Sequence, residues 1–88
     1  MKLFSLIFQF NTFNQDYSRV HGLIREYDHI RINETGYFVW TKLSAKQIYD
    51  ELRPFLNTDD LLLVTGIKTP WHGHARSEII DWLSGKIQ

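Results

Sequence analysis

Two apolar runs near opposite ends constrain the fold of this chain more than any other feature. The first is Lys2–Phe10, with Leu3, Phe4, Leu6, Ile7, Phe8 and Phe10; the second is Leu61-Leu62-Leu63-Val64-Thr65-Gly66-Ile67. The first carries no helix breaker or cap, and the second is a continuous apolar run as far as Thr65. Runs of this kind predict continuous, buried β-strands. The 88 residues hold no cysteine, so disulfides, thiolate metal sites and cysteine nucleophiles are excluded. Stability must come from one small core, which leaves room for a partner surface to matter.

Between the runs the periodicity changes. Tyr17, Val20, Ile24 and Tyr27 fall on one helical face. Asn11-Thr12-Phe13-Asn14 supplies turn chemistry before it, and Asn14 or Asp16 is placed to accept amides of the first turn. Gly22 lowers helix propensity but would permit close approach to a sheet. His29–Asn33 then alternates at period two, Glu34-Thr35-Gly36 makes a turn, and Tyr37–Thr41 is built of strand formers.

Ser44 and Gln47 have the spacing of a capping box. The stripe behind it is Ile48, Leu52 and Phe55; Pro54 should tighten the helix end and Asn57 should stop it. After the second apolar run, Lys68–His74 reads as a loop. Ser77–Leu83 reads as a short helix, with Gly85 near its end.

The order β-α-β-β-α-β followed by a helix predicts an α+β, ferredoxin-like antiparallel sheet. One domain spans 1–88, with 69–88 as an added loop and helix. The two long apolar strands are expected at the centre, with the more alternating hairpin strands outside them.

These segments resemble the small CRISPR-associated protein 2 family and its relatives of the virulence-associated protein D type. The residues behind the resemblance are the first strand and helix, His29-Ile30-Arg31-Ile32, Tyr37-Phe38-Val39-Trp40, Ser44–Ile48, Leu52 and Asp59–Val64. Trp71 and Gly73 look like a branch outside the CRISPR systems. The resemblance implies a homodimer, a role near nucleic acid and, for some members, a metal-dependent nuclease. The proposed metal-binding acid of such members lies at the end of the first strand. That place here reads Phe8-Gln9-Phe10-Asn11, with Asp16 the nearest acid. An uncharged Asn11 is a poor ligand for a hard cation, so the expectation is no catalytic residue and no cofactor. Mg²⁺ belongs only to the endonuclease alternative.

Several residues remain as site candidates. Arg31 and Lys42 flank Tyr37 and Trp40 on the hairpin, a basic and aromatic mixture able to grip a nucleic-acid strand. The same aromatics serve equally as core. His72 and His74 are spaced to share a metal, with a third ligand needed from His21, His29 or Asp81; the plainer reading is a solvated loop anchored by Trp71. Asp59-Asp60 reads as a metal pair or as solvated acids before a strand. Trp71, Trp82 and Ile67 are candidates for a dimer interface.

Lys plus Arg and Asp plus Glu each number 10. This balance argues against tight binding of nucleic acid by bulk charge, although a dimer can concentrate charge that one chain spreads out. The first apolar run lacks a signal-peptide cleavage pattern and is too short to span a bilayer, so a cytoplasmic location and no membrane partner are expected. The functional expectation is a non-catalytic interaction module with a nucleic-acid or protein partner. The endonuclease is the alternative, and a small-ligand regulatory domain is a third reading, because this fold hosts many functions.

Overall fold

The computed structural model describes residues 1–11 and 16–86. Its elements are β1 (Lys2–Gln9), α1 (Ser18–Arg25), β2 (Asp28–Asn33), β3 (Gly36–Thr41), α2 (Ala45–Leu52), β4 (Leu61–Ile67) and α3 (Ser77–Lys86), with a 3₁₀ turn at Arg53–Phe55 after α2. The strands form one antiparallel sheet in the order β2-β3-β1-β4. Each helical crossover skips one strand, which gives the ferredoxin-like split βαβ arrangement. No helix among the described residues is long and apolar enough to cross a membrane.

The sheet's two faces follow the pleat. On one face Phe4, Leu6 and Phe8 of β1 meet Tyr37 and Val39 of β3. Val20 and Ile24 of α1, with Ile48 and Leu52 of α2, close over them. Leu62 and Val64 of β4 pack at the margin of this cluster. The opposite face holds Ile30, Ile32, Phe38, Trp40 and the buried Leu3. There α3 lies over the β2–β3 side through Ile79, Ile80 and Leu83. Lys86 ends α3 with a 2.7 Å ion pair to Asp28, and its ammonium lies 6.0 Å from the Trp40 ring centre and 5.4 Å from that of Trp82.

The local signals act as their chemistry dictates. The Ser44 hydroxyl accepts from the Gln47 amide at 3.1 Å, and the Gln47 side chain accepts from the Ser44 amide at 2.9 Å. Pro54 sits in the 3₁₀ turn, where a missing amide hydrogen is tolerated. Asp16 accepts from the Ser18 amide at 2.9 Å; Asn14, and the turn through Thr12 and Phe13, lie outside the described residues. Gly36 is buried at the hairpin, and a Cβ there would stand 3.3 Å from Asn33 Oδ1. Gly36 therefore answers a close approach across a two-residue turn. The C-terminal helix reaches Lys86; residues 87–88 of the expected tail lie outside the described residues.

Two expectations are corrected. The strand Leu61–Ile67 is not central: it forms an edge, and Leu61 and Leu63 face outward on the side that α3 leaves open. Strand β3 takes the second central place, with Tyr37, Val39 and Thr41 buried. An apolar run is compatible with any strand apolar on both faces, whether or not both faces are covered. Gly22 was expected to allow close packing on a sheet, but it is exposed and a Cβ there would meet nothing within 4 Å.

Candidate functional site

The end of β1 was expected to lack a carboxylate, and the fold brings one to it. Because β4 runs antiparallel to β1 with Gln9 opposite Leu61, the residue before β4 falls beside the residues after β1. Asp60 Oδ1 accepts from the Asn11 amide at 2.9 Å, and the Asn11 side-chain amide donates to the Asp59 carbonyl at 2.7 Å. The Tyr17 hydroxyl lies 2.8 and 2.9 Å from the two Asp60 oxygens, and Oδ2 accepts from the Asn57 amide at 2.9 Å. Partial burial opposes ionisation of Asp60. The donors from Asn57, Asn11 and Tyr17 outweigh that penalty and hold its carboxyl below the usual carboxylate range.

An aromatic column leads to this knot. Phe8 stacks on Phe10 with ring centres 4.5 Å apart, and Phe10 on Tyr17 at 3.9 Å. His21 meets Phe8 and Phe10 edge-on and hydrogen-bonds the Tyr37 hydroxyl at 2.9 Å. Desolvation, then the charges of Arg31 and Arg25, lower the His21 pKa. These contacts tie β1, α1, β3 and the entry to β4 together. The Asn11 amide on Oδ1, the Asn57 amide on Oδ2 and the one Tyr17 hydroxyl proton between them engage both Asp60 oxygens, which is the chemistry of a structural clamp.

The sequence-selected residues separate into different places. Tyr37 is 1% exposed, with the Arg31 guanidinium 5.4 Å from its ring centre. Arg31 also donates to the carbonyls of Asn33 and Glu34, both at 3.0 Å, and so braces the hairpin. Trp40 and Lys42 stand toward the other end of β3, and Trp40 faces the α3 side of the sheet while Tyr37 faces α1. The four residues do not form one surface, and no ring face of Tyr37 is free for a base.

His72 and His74 are exposed in the loop before α3. Their suggested third ligands are engaged elsewhere in two cases: His21 with Tyr37, and His29 with the Tyr27 carbonyl at 2.9 Å. Among the described residues no group of three His, Cys, Asp or Glu side chains is placed to hold a metal. Trp71 and Ile67 line a groove under the loop with Ile32, Phe38 and Ile79, and Trp82 packs beside Lys86. Both tryptophans are half-buried within the chain itself.

The least satisfied surface surrounds β4. Leu63 is 54% exposed, Ile7 47%, Leu61 46% and Tyr49 39%. Ile7 pairs directly with Leu63 in the sheet, and Tyr49 flanks Leu62 and Val64 from α2. Composition alone hid this patch, because an exposed leucine and a buried one look alike in sequence. No family model, curated protein or solved structure matches the chain significantly.

Proposed function

We propose that this chain is a homodimeric interaction module that pairs through the free edge of β4. The observation that carries the reading is the contrast between the sheet's two edges. Strand β2 bears Asp28, His29 and Arg31 and breaks register between Arg31 and Asn33. Charge and bulges are the usual protections of an edge strand. Strand β4 has neither: it carries no charged residue or proline, and its register with β1 is unbroken from Leu61 to Ile67. Its backbone presents an open row of donors and acceptors, flanked by Tyr49 on one side and by Leu61, Leu63 and Ile7 on the other.

A second copy supplies the matching surface, because antiparallel pairing of one strand with itself is compatible with a two-fold axis. The resemblance to the CRISPR-associated protein 2 type also implies a homodimer. The clamped state of Asp60 supports a non-catalytic role over the endonuclease. Sedimentation equilibrium should give a dimer at about 10 µM. Leu63→Lys, which places a charge on an exposed position, should give a folded monomer. A monomeric parent chain at that concentration overturns the proposal.

A further inference from the structure

We propose that a lysine-lined cleft at the start of β1 binds a nucleoside polyphosphate group, either as a free nucleotide or at the 5′ end of a strand. This inference does not depend on the pairing of β4.

The antiparallel register gathers the cations. Leu3 is opposite Trp40 on one side and Ile67 on the other, Trp40 is opposite Asp28, and Lys2 is opposite Thr41. Lys2, Lys42 and Lys68 therefore emerge at one end of the sheet, each next to a strand terminus. The end of α3 brings Lys86 to the same place. A balanced total charge becomes an uneven one: four of the chain's lysines share this end.

The cleft itself has a volume of about 420 Å³, within the range of small-ligand sites. Lys2, Lys68 and Lys86 contribute the positive groups to its lining, and Trp40 the aromatic surface. Among the described residues none of those lining it is acidic. Asp28, beside the cleft, is already held by Lys86. Lys2 and Lys68 are exposed and have no hydrogen-bond or ion-pair partner among the described residues.

The arrangement divides the ligand into two parts. Mobile ammonium groups suit phosphate oxygens, which accept charge-assisted hydrogen bonds from several directions. The half-buried indole of Trp40 offers a flat apolar surface for a base. Lys86 stands 6.0 Å from the centre of that indole in its pair with Asp28, which leaves Lys2 and Lys68 for the phosphates. A bare anion would have no use for Trp40, and a neutral aromatic would leave the lysines unanswered.

Equilibrium titration of the intact chain at low salt tests this with ATP, inorganic tripolyphosphate, and one short RNA carrying a 5′-triphosphate or a 5′-hydroxyl. The expected result is ATP binding at least 5-fold tighter than tripolyphosphate, weakened roughly 10-fold or more by K2Q/K68Q. Trp40→Leu should remove the preference for ATP over tripolyphosphate. A stronger grip on the 5′-triphosphate RNA than on ATP assigns the group to a strand end, and the reverse assigns it to a free nucleotide. Circular dichroism should be unchanged in K2Q/K68Q, since both lysines are exposed and have no partner among the described residues. Absence of ATP and 5′-triphosphate RNA binding up to about 1 mM, or binding indifferent to K2Q/K68Q, overturns the proposal. Equal affinity for ATP and tripolyphosphate overturns the base-stacking part.

Discussion

Asp60 carries more of the local structure than an acid at a strand entrance ordinarily does. It receives the amides of Asn11 and Asn57 and the Tyr17 hydroxyl. Asp60→Asn keeps the shape but replaces one acceptor with a donor facing these groups. The expected loss is about 1–2 kcal/mol in urea unfolding. The same carboxyl sets an acid limb. Its folded-state pKa lies below the ordinary 3.8, so its contribution is complete above about pH 4 and is lost as pH falls through the lower folded value. A melting-temperature profile should drop in that acid range for the parent and less for Asp60→Asn. His21 behaves with the same sign at a higher pH: its lowered pKa means that its neutral form favours the fold above the ordinary 6.5, and protonation on acidification removes that contribution. His21→Phe should flatten the profile between pH 7 and the folded-state value. The Asp59-Asp60 pair was visible in sequence, but its role was not. An acid at a strand start acquires meaning only when the neighbouring strand and its register are known.

Elements were the most legible scale because local chemistry writes them. Ser44 and Gln47 mark the start of α2, Pro54 its tightened end, and the Glu34–Gly36 turn the hairpin. Ser44→Ala should therefore cost about 1 kcal/mol in chemical denaturation, with the capping box lost on both sides. What the pattern did not convey is which strands lie inside. Leu61–Ile67 is more apolar to the eye than Gly36–Thr41, yet β3 is central and β4 is an edge. Strand order depends on where two crossovers land, and hydropathy along one strand does not encode its neighbours. The terminal helix was legible as a helix but not as a second layer. It covers the β2–β3 side through Ile79 and Leu83 and is pinned by Lys86 to Asp28. Leu83→Ala should cost about 2–3 kcal/mol. In hydrogen exchange the amides of α3 should open well before those of β1, which is flanked by strands on both sides.

At the scale of the whole molecule, charge and apolar surface are distributed separately. Lysines collect at the start of β1, and uncovered leucines collect along β4. Neither arrangement is visible in a count of 10 basic and 10 acidic residues, because each arises from strand register. If two copies associate through β4, only folded chains are stabilised by the contact, and the melting temperature should rise with chain concentration. The same dilution series on Leu63→Lys should be flat.

If copies of this chain pair through β4, the unequal treatment of the two edges also limits how far association can proceed. A chain with two bare edges adds neighbours without end and becomes a fibre. Here the outer strand on the hairpin side is charged and out of step after Arg31, while only the opposite strand is bare. Once two bare edges have met, both outer margins of the joined sheet are protected ones. Raising the concentration would then fill pairs without lengthening them, and growth would be terminated by sequence features that lie on the far side of the sheet from the contact.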